Sequence, residues 1–340
     1  MNPITSEPLK IGPITLDFPV VQAALSGYSD APMRKIARMH GARFTLCEVM
    51  LDQFVINVSK GSKSRFYLNV EDEEHPIGAQ LMGVEPDTFC AAAKKMVDNG
   101  FDLIDLNFAC PVRKVLGRGR GGYFMSKPDQ AIEIINKVRD TIPDSIPLTM
   151  KLRKGFDDSP ESEDAFYTIL DAGFRLGIAA VTVHGRTVRQ KYLGESDWNF
   201  LKKVKKHLGP DKIILGSGDL FSAETVTAKM RESGVDGVAL ARGAIGNPWL
   251  FDQVHAILQG KTVPPQPTLH EQRKVIQLHY ELSENFYGPD RAAPEMRKFG
   301  VYYSRLHPHH EQVRDDFVKT KNQGDWTSTL EKWYIVEKLL

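Results

Sequence analysis

Eight apolar runs of strand length recur along the first three-quarters of the chain, each followed by a polar-faced stretch with helical spacing. That alternation narrows the available folds more than any other feature. Pro19–Leu25 leads to a helix expected over Ala31–His40, and Phe44–Met50 to a segment around Asp52–Ser59. Pro76–Met82 leads to Pro86–Asn99, and Phe101–Phe108 leads through a glycine-rich loop to Pro128–Thr141. Pro147–Arg153, Ala179–His184, Lys212–Leu215 and Gly237–Ala241 precede Glu161–Leu176, Trp198–His207, Ala223–Glu232 and Pro248–Leu258 in turn. Strands alternating with helices imply a parallel sheet with right-handed crossovers. Eight units in about 250 residues suit a closed (β/α)8 TIM barrel, placed at residues 1–258. A doubly wound open sheet is the alternative. It is disfavoured because polar residues end nearly every run, which suits loops converging on one mouth.

Residues 259–267 read as a linker, with Gly260, Pro264, Pro265 and Pro267 close together. Residues 268–340 carry helical periodicity, with helices expected over Leu269–Phe286, Pro294–Tyr303, His309–Lys319 and Asp325–Glu337. They are read as a small C-terminal helical-bundle domain. Arg291, Arg297, Lys298, Arg305 and Arg314, with Tyr302 and Tyr303 among them, suit a basic face. A solvated helix surface is the plainer reading of the same residues. The net charge of +1 over 340 residues gives no global polyanion signature, so any nucleic-acid contact has to be a local patch. The three cysteines, Cys47, Cys90 and Cys110, lack CxxC spacing. That argues against a disulfide framework or structural zinc, and for a reducing compartment. Met1–Lys10 is polar without an apolar signal core, and no run is long enough to span a bilayer. The expectation is a cytoplasmic, metal-free monomer.

In a barrel, functional side chains gather at the carboxyl ends of the strands. The first run ends in Ala23, Ala24, Leu25, Ser26 and Gly27, small enough to admit a flat ligand. The third offers Gln80, the fourth Asn107 and Cys110, the fifth Lys151 and Arg153, and the sixth His184, Arg186 and Thr187. The seventh ends at Ser217, Gly218 and Asp219, and the eighth at Ala241, Arg242 and Gly243. Glycines there, with amides opening a short helix, suit a phosphate cradle. An amide, an ammonium and an imidazole in one mouth suit a planar heterocycle with its phosphate held opposite, the pattern of FMN. Pro111 stops the fourth strand and leaves Cys110 on a rim. Beyond it Arg113, Lys114, Arg118 and Arg120 alternate with glycines in a basic loop suited to a polyanion. A buried structural cysteine before an ordinary turn is the bland alternative.

The strings LNFACPVRKV, QLMG, MKLRKGF, VHGRTVRQKYLGESDW, GSGDLFS and GVALARGAIGNPWLF, in that order, resemble the dihydrouridine synthase family of bacterial type. The resemblance covers the barrel and extends more weakly into the tail through Ala293–Tyr303. It implies an FMN-dependent enzyme that reduces the C5–C6 bond of specific uridines in tRNA, with NADPH as usual reductant. The family's FMN contacts fall on Ala24, Leu25, Gln80, Lys151, His184, Ser217, Gly218, Asp219, Ala241 and Arg242. Its catalytic acid falls on Cys110 and its active-site asparagine on Asn107. RNA contacts are expected from Arg113, Lys114, Arg118, Arg120, Arg186, Arg297 and Lys298. The expected chemistry is hydride from reduced FMN to C6 of a flipped-out uracil and a proton from Cys110 to C5.

The chain departs from the family's pattern in the mouth. Ala23-Ala24-Leu25 stands for Ala-Pro-Met, Ala109 for a glycine, Ser217 for an asparagine, Ala241 for a glycine, and Phe299 for a histidine. These departures keep a rival open, an RNA-binding protein on a decayed flavoenzyme scaffold. A second rival is an FMN barrel oxidoreductase of a small substrate, akin to dihydroorotate dehydrogenase. It accounts for the barrel and cradle but not for the basic loop or tail.

Overall fold

The computed structural model describes residues 8–59, 61 and 65–335. The polar leader before residue 8 and the expected helix end at Glu337 lie outside the described residues. The chain opens with an antiparallel hairpin absent from the sequence reading, β1 (Leu9–Ile11) and β2 (Ile14–Leu16). Its two-residue turn is Gly12-Pro13, with Gly12 at φ +58°. A glycine at the first central position is what such a turn requires.

The barrel strands are β3 (Val20–Gln22), β4 (Thr45–Leu46), β5 (Met50–Leu51), β6 (Ile77–Met82) and β7 (Leu103–Asn107). They continue as β8 (Leu148–Arg153), β9 (Ile178–His184), β10 (Ile213–Ser217) and β11 (Gly237–Leu240). All pairings among them are parallel, and β11 pairs with β3, β3 with β4, and β4 with β6, which closes the ring. The expected second strand is split. Thr45 and Leu46 face Ile77 and Gly78, while Met50 and Leu51 face Leu81 and Met82. The chain between these pairs is one residue longer on the split strand than on β6, which makes Cys47–Val49 a bulge. β4 and β5 thus form one barrel strand, and eight positions are filled. This confirms the (β/α)8 expectation over the open sheet.

Helices α1 (Ala31–Met39), α2 (Asp52–Asn57) and α3 (Pro86–Asp98) follow the first three barrel strands. After β7 come a short α4 (Arg113–Leu116), a 3-10 turn over Gly121–Ser126, and α5 (Pro128–Thr141). Then come α6 (Pro160–Arg175), α7 (Trp198–Leu208), α8 (Ala223–Ser233) and α9 (Trp249–Leu258). Side-chain caps at Asp30, Ser159, Asp197 and Ser222 start α1, α6, α7 and α8. Inside the ring, Val21, Ala23, Phe44, Leu46, Leu103, Ala180, Leu215 and Ala239 form one buried cluster. Leu9, Ile11 and Leu16 of the hairpin belong to the same cluster, so the hairpin plugs the ring's amino end.

The segment from Lys261 to Pro267 has no regular structure, and α10 (Leu269–Tyr287), α11 (Pro289–Tyr303), α12 (His310–Lys319) and α13 (Gln323–Trp333) follow. α11 begins earlier than expected. Gly288 at φ +87° ends α10, and Pro289 sits at the first helical position, where a missing N–H costs nothing. Pro294 is then tolerated inside the helix. The helices share a continuous core with the barrel through Ile276, Met296, Phe299, Tyr303 and Phe317. At the seam Tyr287 donates to Asp30 at 2.8 Å, and Gly246 meets the backbone of Tyr302 and Tyr303 so closely that a Cβ has no room.

His279 is buried in that shared core, its Nδ1 3.0 Å from the Tyr303 hydroxyl. Burial, with Lys298 nearby, lowers its pKa to about 3. The unfolded chain therefore binds a proton below the ordinary value of 6.5 that the folded chain refuses. Stability rises with pH up to that point and is flat above it. Denaturation followed against pH is expected to lose stability from about pH 6.5 down to pH 4, at up to about 1.4 kcal/mol per unit for this group. His279→Gln is expected to flatten that limb by about one proton.

Candidate active site at the carboxyl ends of the strands

A chain of buried polar groups crosses three strands beneath the mouth. Thr149 on β8 and Gln80 on β6 each donate at 2.6 Å to Asp105 on β7. Asn107 donates to the Gln80 carbonyl oxygen at 2.7 Å, and its own oxygen accepts from the backbone amides of Ala109 and Cys110, both at 3.0 Å. The chain turns there because Asn107 caps it. Cys110 is thereby held on the rim rather than in the core, and it lines a cavity of about 440 Å³ with Lys151 and His184. Expected residues Ala24, Leu25, Gln80, Asn107, Ser217, Gly218, Asp219, Ala241 and Arg242 line the same cavity.

Electrostatics follow from burial. Desolvation raises the carboxyl pKa of Asp105 against its two donors and Lys151. Lys151 is itself lowered to about 8, by burial first and then by Arg153, with Asp105 opposing. Burial raises the Cys110 thiol, opposed in part by Arg153 and Lys151. His184 is lowered to about 2 by burial and four neighbouring cations, so its ring is neutral. Its Nδ1 accepts from the Arg186 amide at 3.2 Å, which puts the ring proton on Nε2. Arg153 fastens the cysteine's turn to its neighbour, donating to the carbonyls of Ala109 (2.9 Å), Thr187 (2.9 Å) and Lys191 (2.8 Å).

The turns after β10 and β11 pack backbone to backbone. A Cβ on Gly243 falls 2.0 Å from the Leu220 carbonyl oxygen, and one on Gly218 falls 2.2 Å from Ser196 Oγ. Asp219 takes the left-handed conformation at φ +56° and receives Arg186 through both carboxylate oxygens, at 3.0 and 2.7 Å. Arg186 also donates to the Leu193 carbonyl at 3.2 Å and is 3% exposed. Its place among the RNA contacts is therefore corrected: buried and held by Asp219, Leu193 and Gly194, it is an internal clamp that presents almost no surface to a phosphate. Arg242 lies 4.6 Å from the Tyr192 ring and 5.5 Å from the Phe221 ring.

The loop beyond Cys110 is more regular than a simple basic loop. It forms α4 and the 3-10 turn, and Gly122 donates to the Cys110 carbonyl at 3.0 Å. Arg113, Lys114 and Arg118 are exposed and Arg120 is half-buried. The tail's basic face is partly neutralised: Glu295 pairs with Arg291 and Lys298, and Asp315 with Arg314. Arg297 stays exposed. Val49, Tyr28, Tyr192 and Phe221, not singled out from the sequence, also line the cavity, as does Tyr302, expected from the sequence on the tail's basic face. The Tyr192 position sits inside a string already singled out, VHGRTVRQKYLGESDW, but its ring carried no signal of its own.

Among the described residues no cluster of histidine, cysteine and carboxylates suits a metal ion, and no helix is long and apolar enough to cross a membrane. A (β/α)8 barrel with Cys110, Lys151, Arg153, His184 and Arg242 gathered at its strand ends has the build of a barrel enzyme. Among solved structures the fold is similar to histamine dehydrogenase from Rhizobium sp. 4-9, with TM-score 0.58 and 17% identity over 82% of this chain. This chain spans about half of that longer protein, 51%. It is also similar to morphinone reductase in complex with tetrahydroNAD, with TM-score 0.54 and 14% identity over 78% of this chain and 93% of that one.

The sequence comparison is more specific. The family model for dihydrouridine synthase matches residues 21–338. A probable tRNA-dihydrouridine synthase of Rickettsia bellii is 32% identical over 90% of this chain and 91% of its own. One of Mycobacterium tuberculosis is 33% identical over 96% of this chain and 85% of its own. The tRNA-dihydrouridine synthase B of Pasteurella multocida is 30% identical over 87% and 86%. The chain belongs to the dihydrouridine synthase family, a family of oxidoreductases.

In the cofactor-free protein the Lys151 amine is expected to titrate near pH 8, below the 10.5 of a free lysine. NMR of lysine-labelled protein checks this. The Asp105→Asn variant removes the opposing carboxylate and is expected to lower that midpoint further.

Proposed function

We propose that this protein reduces uridines in tRNA to 5,6-dihydrouridine, with FMN held in the barrel mouth and NADPH as reductant. The observation that carries the reading is the convergence of Cys110, Lys151 and His184 on one cavity in a chain of this family. The residues present suit FMN. The side-chain hydrogen bonds around Lys151 and His184 leave the ammonium and Nε2 without a protein partner among the described residues, both facing the cavity. Such donors suit the carbonyls and ring nitrogens of a flavin. Gly218, Asp219 and Arg242 offer backbone amides and a guanidinium to its phosphate. Gln80 has one amide hydrogen left after serving Asp105.

FMN held by these residues and reduced by NADPH would supply the hydride for C6 of the uracil. Negative charge then develops at C5 and O4. The Cys110 S–H bond breaks and its proton goes to C5, leaving a thiolate that Arg153 and Lys151 favour. Burial keeps the thiol protonated beforehand, as an acid needs. Asn107 positions this group through the two amides of the cysteine's turn, and Arg153 braces the same turn from the other side.

The family departures at Ala24, Leu25, Ser217 and Ala241 all face the cavity, yet Cys110, Lys151 and His184 keep their places. That favours an active enzyme over a decayed scaffold. For the RNA, the exposed Arg113, Lys114 and Arg118 beside the rim suit backbone phosphates, with Arg297 on the tail as a further contact. Lys298 already donates to Glu295, which partly neutralises its charge toward RNA.

Cys110→Ala is expected to lower dihydrouridine formation by roughly 10²–10⁴-fold while FMN stays bound, measured by mass spectrometry of RNA and by absorbance. Undiminished turnover removes the acid assignment, and colourless protein that rejects added FMN removes the cofactor. Replacing Arg113, Lys114 and Arg118 together by Gln is expected to weaken RNA binding and flatten its dependence on log salt. The slope should fall by about 2, since each phosphate that is no longer neutralised removes roughly 0.7–0.9.

A further inference from the structure

The helical domain places one side chain in the cavity wall, Tyr302, and the first barrel loop places Tyr28 beside it. Their rings meet edge to face with centroids 5.5 Å apart. Each ring is backed by a cation. The exposed Arg305 guanidinium lies 4.2 Å from the Tyr302 ring, and the Lys298 ammonium 5.8 Å from the Tyr28 ring. Phe299 packs edge-on against Tyr28 at 5.6 Å and holds it in place. The proton and hydride chemistry at C5 and C6 makes no use of this wall.

Burial first, and then the neighbouring Tyr302, push the Tyr28 phenol up to about 12, so it remains a hydroxyl throughout the neutral range. Two adjacent phenols present a donor and lone pairs side by side. Their complement is an aliphatic hydroxyl, which both donates and accepts. Two ligands of this site carry such groups: the ribose of the extruded nucleotide and the ribityl chain of a flavin. The exposed guanidinium stacked behind Tyr302 favours the first, because it sets a phosphate-binding charge next to the hydroxyl-binding pair on the solvent side. A ribose with its phosphodiester carries that pair of groups, a hydroxyl and an anion.

We propose that Tyr28 and Tyr302 hold the ribose 2′-hydroxyl of the nucleotide whose base enters the cavity, with Arg305 at its phosphate. The inference rests on the RNA reading of the site. The pair makes the mouth discriminate ribose from deoxyribose, at a wall built jointly by barrel and tail.

The test uses an RNA that the wild-type enzyme modifies, synthesised with uridine or a single 2′-deoxyuridine at the modified position. kcat/KM is measured by mass spectrometry for wild type, Tyr28→Phe, Tyr302→Phe and the double variant. Wild type is expected to favour the ribose by about tenfold, the worth of one good hydrogen bond. The double variant is expected to lose about tenfold on the ribose substrate and little on the deoxy one, so the preference collapses. Wild type without a preference overturns the proposal, whether or not the variants fold. So does a folded double variant that keeps the preference, with folding checked by circular dichroism melting. Equal losses on both substrates together with weaker FMN binding assign the phenols to the ribityl chain and also overturn it. Wild-type protein that forms no dihydrouridine in any cellular RNA overturns the parent reading, and this inference falls with it.

Discussion

A carboxylate buried where three strands meet sets the geometry of the mouth. Asp105 is 2% exposed, and burying a carboxyl is costly unless donors reach it. Thr149 and Gln80 supply them from the strands on either side. Once Gln80 is fixed by Asp105, its oxygen fixes Asn107, and Asn107 fixes the turn that carries Cys110. The rim thiol is thus positioned from below, by a relay in which each group is oriented by the one before. The same carboxylate is a counter-charge for Lys151, which burial alone would strip of its proton more completely.

A second constraint acts from the side. The tail is tied to the barrel by a buried core, by the Tyr287–Asp30 bond and by the close approach at Gly246. Gly246 follows the last barrel strand, and Tyr302 sits against it. The contact that joins the tail to the barrel therefore also sets where Tyr302 stands in the cavity. The tail is a wall of the site as well as a surface beside it.

Much of this is legible in the sequence because strand ends are legible. Apolar runs closed by Asn107, Lys151, His184 and Ser217 can be placed at one barrel end without coordinates, and the cavity contains all of them. The N-terminal hairpin escapes such a reading because its strands are three residues each, too short to show alternation, although Gly12-Pro13 marks the turn. The bulge after Leu46 escapes it because Phe44–Met50, Glu48 included, has the length and polar punctuation of one ordinary strand. Arg186 misleads for a different reason. Its charge is visible in the string, but its burial depends on Asp219 taking a left-handed conformation 33 residues later. Tyr28 and Tyr302 are beyond reach as a pair, since only the packing of the tail helices on the barrel brings positions so far apart in the chain to one wall.

The hairpin at the amino end has a consequence for traffic. With Leu9, Ile11 and Leu16 packed into the ring's buried cluster, the barrel is floored at its amino end, and the cavity lined by Cys110, Lys151 and His184 opens at the other. On the proposed function, an electron donor as large as a nicotinamide dinucleotide and a folded polynucleotide would both reach the site through that mouth. The electrons left by the first caller would then wait inside for the second.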